Sequence, residues 1–126
     1  MTVLDLDDPA GWDASLDAVT AAPENHKVLY EDDVVRVISV TVPPGTQEKP
    51  HHHRWPSVFV IDRMVRLEDF DGHTGARIPL PVPEQFEPPL TVRMPPQPAH
   101  FVRNVDTAAF HGTRIEFKRG FAVPPG

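Results

Sequence analysis

Three consecutive histidines, His51, His52 and His53, stand out in a 126-residue chain that has seven histidines in total. Alternate side chains of an extended strand face the same side. His51 and His53 are therefore expected to point together, and His52 to point away from them. Two imidazoles with this spacing can bind one metal ion from the same face of a strand. The segment predicts either a histidine metal site or a pocket wall built from imidazoles.

A further histidine, His100, lies in the distant segment PPQPAHFVRN, four residues before Asn104. If this segment forms a strand near His51 and His53, three imidazoles converge, and we predict these three histidines as metal ligands. The chain has no cysteine, which excludes thiolate ligands. Imidazole accepts several divalent transition metals, so that Fe, Ni, Zn and Cu are all expected candidates.

Four other residues are assigned to the pocket around the histidines. Trp55 and Ser57 share the strand parity of the histidine pair. Core packing is the commoner explanation for Trp55, whereas a hydrogen bond to the ligand and a space-making role explain Ser57 equally well. Arg36 lies inside a predicted strand and could pair with a substrate carboxylate, or else with a glutamate of the protein. Asn104 shares a face with the last histidine.

The remaining histidines, His26, His73 and His111, each stand alone in the sequence. We interpret them as residues without a role in the site. Asp69 and Asp71 flank a predicted turn, and turn formation is sufficient to explain both of them.

Composition limits the class of protein. The length fits one domain, and a net charge of -6 with a pI of about 5.5 argues against nucleic acid as a partner. No apolar run is long enough to span a membrane, and the acidic N-terminus lacks the pattern of a secretory signal. The sequence therefore predicts a cytoplasmic protein with a small-molecule ligand and no membrane partner.

The elements that position the histidines are predicted to be short strands. The 16 prolines break helices and central strands, and favour short elements joined by stiff loops. Strands are predicted over 27–31, 33–42, 57–69, 90–94, 100–105 and 112–120, with a hairpin turn at Asp71-Gly72. This pattern is typical of an all-β sandwich or barrel.

One helix is predicted, over residues 8–22. Asp8 can cap it, Pro9 suits the first helical position, and Trp12, Leu16 and Val19 form one apolar stripe. The predicted organisation is an N-terminal helical segment at 1–25, a β domain at 26–120 and a loose tail at 121–126.

Two stretches of the chain resemble the motifs of the cupin superfamily. Gly45 followed by five residues and His51-x-His53 resembles its first motif, and Pro95-x-Gln97-x-x-His100-x-x-x-Asn104 resembles its second. The resemblance extends from about residue 28 to 119. It implies a single-domain jelly-roll β-barrel of the RmlC-like type, an internal ligand cavity and a homodimer. It also implies that Asn104 supports the site without binding the metal.

The first motif departs from the family pattern at one ligand. The family usually has a glutamate four or five residues after the second histidine, where this chain has Ser57 and Val58. The resemblance then implies a three-histidine site with open positions. Two functions follow as hypotheses: a metal-dependent enzyme of the dioxygenase, isomerase or lyase type acting on a small polar, anionic molecule, or a non-catalytic small-molecule-binding cupin such as a sensor or accessory protein.

Overall fold

The structure, a computed structural model, describes residues 9–121. These residues form two antiparallel sheets, one with strand order β1-β2-β9-β4-β7 and one with strand order β3-β8-β5-β6. The strands are β1 (His26–Glu31), β2 (Val35–Val42), β3 (His51–His53), β4 (Ser57–Arg63), β5 (Leu67–Asp71), β6 (Arg77–Ile78), β7 (Leu90–Met94), β8 (Gln97–Asn104) and β9 (Phe110–Phe117). The predicted all-β jelly-roll class is confirmed.

The core lies between the sheets and is built mainly on β2. This strand is dense in β-branched residues, which favour extended backbone. Its side chains alternate, with Arg36, Ile38, Val40 and Val42 buried and the intervening residues half-buried. A cluster of buried apolar side chains results, formed by Ile38, Val40, Val42, Ile61 and Phe110.

The pairing of β3 with β8 brings the two histidine segments together. His51 lies opposite His100, and His53 lies opposite Gln97, with an irregularity in the register between these two pairs. The chain reaches β3 through a turn at Gly45, where φ is +72°, a conformation that glycine adopts without strain. Strand pairing thus joins two segments that are distant in sequence at one point of the smaller sheet.

One predicted strand is divided into two strands in the structure. Residues 57–69 were expected as one strand, but β4 ends at Arg63 and β5 begins at Leu67, and the two strands belong to different sheets. The hairpin predicted around Asp71 lies between β5 and β6, where the Asp71 carboxylate accepts hydrogen bonds from the backbone N–H groups of His73 and Thr74.

The N-terminal segment is less regular than predicted. In place of one helix over 8–22, it has two 3-10 turns, Pro9–Gly11 and Ala14–Leu16, and one short α-helix, α1 (Ala18–Ala21). Asp13 and Asp17 explain the interruptions, because their side chains accept hydrogen bonds from Ser15 N and Val19 N and so begin new turns.

Two sequence predictions fall partly outside the described residues. The predicted cap Asp8 and residues 122–126 of the predicted tail lie there. Within residues 9–121, no helix has the length and apolar character needed to cross a lipid bilayer.

Candidate metal site

Four histidine rings lie together between the two sheets. The ring centroids of His51 and His100 are 4.8 Å apart, those of His51 and His53 are 5.0 Å apart, and those of His26 and His51 are 4.6 Å apart. All four residues are buried. Ligand nitrogens of His26, His51 and His53 lie within 4.8 Å of one another. The structure therefore brings together the three predicted ligands and adds His26, which the sequence analysis left without a role.

Backbone carbonyls fix the orientation of two of these rings. His26 Nδ1 lies 3.0 Å from the carbonyl oxygen of Ala22, and His51 Nδ1 lies 2.7 Å from that of Lys49. A carbonyl oxygen can only accept, so each Nδ1 carries the hydrogen and donates it. In the neutral ring the lone pair is then on Nε2, the atom that remains available to a metal ion.

Carboxylates lie beside the other two rings. His100 Nδ1 donates to Asp69 Oδ1 at 2.8 Å, and His100 Nε2 is buried without a hydrogen-bond partner. His53 Nδ1 lies 3.7 Å from Glu116 Oε2, and neither atom has a hydrogen-bond partner. A carboxylate or carbonyl behind the imidazole is the usual support of a metal-binding histidine, because it sets the tautomer and orients the ring.

Burial keeps the histidines in the form that binds metal. Desolvation lowers the pKa of His26 to about 4 and the pKa of His51 and His53 well below the usual value, and nearby Arg114 acts in the same direction. These three imidazoles are therefore neutral at pH 7. Neutral rings with a free lone pair are what a divalent cation requires of histidine.

Glu48 brings a carboxyl group to the same cluster. Its Oε1 accepts a hydrogen bond from Val102 N at 3.0 Å, and its Oε2 lies 3.5 Å from His26 Nε2 and 3.9 Å from His51 Nε2. Burial raises the pKa of Glu48 to about 8. The glutamate expected after the second histidine is missing from the sequence, but Glu48 places a carboxyl group beside the imidazoles from the loop that precedes β3.

The donor set fits a divalent transition metal. Imidazole nitrogens with one carboxylate oxygen suit Fe, Ni, Zn or Cu. The unpartnered Nε2 of His100 adds to the fit, because a buried polar atom without a partner is costly unless a ligand satisfies it.

The cluster forms one end of a cavity of about 380 Å³ between the sheets. This volume lies within the range of small-molecule sites. Arg114 and Gln97 join the polar end. The remainder of the lining is apolar and includes Phe59, Ile61, Leu67, Leu90, Val92 and Phe110.

The structure places the four predicted pocket residues outside the lining of this cavity. Arg36 faces the interior, but its guanidinium is held by Asp17, through two hydrogen bonds of 2.9 Å, and by Glu116 at 2.5 Å. Trp55 lies outside, against the guanidinium groups of Arg36 and Arg54 at 4.8 and 4.6 Å from its ring centre.

Ser57 and Asn104 are also buried away from the cavity. Ser57 is fully buried in β4, and its hydroxyl has no hydrogen-bond partner. The Asn104 amide donates to the carbonyl oxygens of Val42 and Ala108 and so ties β8 to the end of β2 and to the loop before β9. This contact agrees with the supporting role expected for Asn104.

Besides His26 and Glu48, three residues of the site were missed because sequence parity gives no reason to choose them. Asp69 was interpreted as a residue that flanks a turn. It lies instead inside β5, where it is buried beside His100. In β9 the charged residues Arg114 and Glu116 face inward, while Ile115 and Phe117 are only half-buried. An alternating strand predicts the opposite arrangement, since apolar residues normally take the buried face. Once histidines occupy the interior, however, charged partners on the facing strand become reasonable.

Comparison with known proteins supports the fold. The chain is similar to a cupin domain from Bordetella pertussis, with a TM-score of 0.60 and 22% identity over 74% of this chain and 91% of that one. It is also similar to an RmlC-like cupin family protein with a double-stranded β-helix fold from Methanocaldococcus jannaschii, with a TM-score of 0.52 and 11% identity over 73% and 77% of the two chains. No protein-family model and no curated protein matches the chain.

The protein therefore has the cupin fold, as the two sequence motifs predicted. Identities of 22% and 11% establish the fold alone. Because one fold supports many chemistries, the function has to be argued from the site of this chain.

Proposed function

We propose that this protein is a metal-dependent cupin enzyme that acts on a small molecule bound in the cavity between the sheets. The observation that carries the proposal is the convergence of four buried imidazoles, His26, His51, His53 and His100, each with Nδ1 turned toward a carbonyl or carboxylate oxygen. In His26, His51 and His100 the hydrogen bond at Nδ1 leaves Nε2 for a ligand, and the buried Nε2 of His100 is costly without one.

The metal would be held by imidazoles of this cluster together with Glu48. A bound divalent ion supplies Lewis-acid chemistry, which stabilises negative charge as it develops on the substrate. Dioxygenation, isomerisation and bond cleavage of the lyase type are all consistent with such a site.

The chain's own residues have definable roles in this proposal. Asp69 orients His100 through a hydrogen bond and limits the ring rotation that would weaken binding, whereas Glu116 lies 3.7 Å from His53 Nδ1 without a hydrogen bond to it. Glu48, whose other oxygen accepts a hydrogen bond from Val102 N, would supply the carboxylate ligand beside the imidazoles. The apolar walls exclude water from the reacting groups, which strengthens electrostatic interactions inside the cavity.

Metal analysis tests the proposal first. Protein purified without a histidine tag is expected to contain close to one transition metal ion per chain, or to take one up from iron, nickel, zinc or copper salts. The double variant H51A/H53A should lose it, whereas H73A, which removes an exposed histidine in the turn after β5, should retain it. Failure of the wild-type protein to bind any of the four metals would refute the proposal.

Turnover separates the enzyme from a binding module. Ligands that raise the melting temperature of the metal-loaded protein would be incubated with it and analysed for product. Product formation that requires the metal supports an enzyme. Stabilisation without product, across all ligands that bind, would favour the non-catalytic cupin instead.

A further inference from the structure

We propose that the ligand of this cavity is an amphipathic monoanion, with a carboxylate head held by Arg114 beside the histidine cluster and an apolar body lying along the rest of the cavity. The inference deepens the proposed function, on which it rests for the position of the head group. It also amends the expectation of a small polar, anionic substrate, because it adds an apolar body to the anionic head.

Arg114 is the group that selects an anion. Its side chain lines the cavity and the residue is 2% exposed. It hydrogen-bonds the side-chain oxygen of Gln97, and its Nε has no hydrogen-bond partner. Among residues 9–121, Arg114 forms no ion pair with a carboxylate within 4.0 Å. A buried guanidinium with an unused donor is costly, and a carboxylate matches its forked donor geometry.

The other arginine that faces the interior, Arg36, differs from Arg114 because its donors are already paired. Arg36 also faces inward, but Asp17 and Glu116 already occupy its donors. Arg114 instead lies against the ring of Phe59, with its guanidinium carbon 4.9 Å from the ring centre. Of these two arginines, only Arg114 lines the cavity, and only Arg114 has a guanidinium Nε without a hydrogen-bond partner.

The inward side chains of β9 change from charged to apolar along the strand, and this change favours a ligand with an apolar body. From Glu116 and Arg114 at one end, the buried face of this strand passes through Gly112 to Phe110. Gly112 leaves a gap that the ring of Phe59 fills, since a Cβ there would lie 2.4 Å from that ring. Beyond Arg114 the lining is apolar, so a ligand that was polar throughout would lose hydration there without gaining hydrogen bonds.

The cavity also has an apolar approach from the surface. Leu80 and Val82, in the loop after β6, line the cavity and are 40% and 37% exposed. Side chains that are both exposed and part of the lining mark the place where the cavity reaches solvent. An apolar tail can therefore extend from the head group toward this loop.

Calorimetric titration of the protein with butanoate, hexanoate and octanoate, and with the matching primary alcohols, tests the inference. Each titration would be run on zinc-loaded protein and on chelator-treated protein. Affinity for the carboxylates is expected to rise about threefold to fourfold with each added methylene. Each carboxylate is expected to bind at least about tenfold more tightly than its alcohol, because it forms a charged hydrogen bond.

Two variants assign the effect to its groups. R114M should reduce carboxylate affinity at least about tenfold and leave alcohol affinity within about threefold. L67F, which fills part of the apolar wall, should weaken octanoate more than butanoate. Equal binding of octanoate and octanol to the wild-type protein, or no dependence on chain length, would overturn the inference without any need for a variant to fold.

The two proposals fail in distinguishable ways. If the protein binds no metal but the chelator-treated form still prefers long carboxylates through Arg114, the metal-dependent function is wrong and the ligand class stands. If metal binds to the histidines but the carboxylates show no advantage over the alcohols, the ligand class is wrong and the metal site stands.

Discussion

Asp69 influences the site through one atom, because its Oδ1 accepts the Nδ1 hydrogen of His100 at 2.8 Å. In D69N the amide can rotate and donate to Nδ1, which would move the ring hydrogen to Nε2 and remove the lone pair from the cluster. We predict that D69N lowers metal affinity about 10- to 100-fold, the usual effect of losing such a support. Competition titration with a chelating dye measures this change.

The neighbouring variant E68Q is the control for this measurement, because Glu68 pairs with Arg77 at the surface of the smaller sheet. Its metal affinity should equal that of the wild-type protein. Unchanged affinity in D69N would mean that His100 does not bind the metal.

Glu48 gives the metal-free protein a predictable response to pH. Burial raises its pKa from 4.5 to about 8, so between these values the folded state holds a proton that the unfolded chain releases. Its contribution to the free energy of unfolding is complete below pH 4.5 and is lost as pH rises through about 8. E48Q has no such group, and we predict that it gains stability relative to the wild-type protein as pH rises from about 5 to about 8.

Urea unfolding in the presence of a chelator measures this difference, which should reach up to about 1.4 kcal/mol per pH unit within the window. The buried histidines titrate in both proteins, and their contribution cancels in the comparison. E84Q, in the exposed loop before β7, should follow the wild-type protein at every pH. A difference between E48Q and wild type that does not change with pH would show that Glu48 is ionised in the folded protein.

Only some of the candidate metal ligands could be predicted from the sequence alone. Strand parity was sufficient to place His51 and His53 on one face, and the second motif placed His100 near them. Glu48 lies in an irregular loop where parity does not apply, and His26 becomes a neighbour only through the packing of a separate strand. Contacts of this kind depend on tertiary structure, which no local pattern records.

Among the elements, the N-terminal segment is connected to the site through a buried chain of charges. Asp17, the N-cap of α1, binds Arg36 of β2, and Arg36 binds Glu116 of β9, whose other oxygen faces His53. Burial would lower the pKa of Arg36, but its hydrogen bonds to Asp17 and Glu116 outweigh burial and raise it. Within the described part of this segment, Asp17 is therefore tied to the two sheets by buried ion pairs.

R36M tests this connection. The substitution removes the cationic partner of two buried carboxylates, and we predict that it lowers the free energy of unfolding by about 3–5 kcal/mol. R66M, which removes an exposed arginine paired with Asp106, is the matched control and should cost less than about 1 kcal/mol. A loss in R36M no larger than in R66M, measured by urea unfolding, would contradict the proposed link.

The elements themselves were only partly predictable. Valine-rich β2 and the hairpin at Asp71 have strong local signals, and both lie where they were expected. The continuous helix did not form, because two aspartates cap successive turns within the apolar stripe. Strand β9 was predicted, but the burial of its charged residues was not, because partners on other strands stabilise them.

At the scale of the whole molecule, the homodimer implied by the cupin resemblance remains a proposal. Strand β1 lies at the edge of its sheet, and its Leu29 and Tyr30 are each 55% exposed. Exposed apolar side chains on an edge strand favour pairing with another chain. We predict a dimer in sedimentation equilibrium at about 100 μM.

L29K is expected to shift this equilibrium toward the monomer, because it places a charge in the apolar edge. T91K, on the opposite edge strand β7, should leave the dimer intact. A monomeric wild-type protein at this concentration would refute the dimer, and equal effects of both variants would refute the assignment to β1.

X-ray absorption spectroscopy of the zinc-loaded protein tests the central claim most directly, because it counts the imidazole ligands of the bound ion. The structure predicts one ion per chain with three or four imidazole nitrogens in its first shell, at the usual zinc–nitrogen distance of about 2.0–2.1 Å. Replacement of His26 or His53 by alanine should reduce that number or abolish binding. A shell made mainly of water oxygens, unchanged in both variants, would contradict the claim that these histidines converge on a metal.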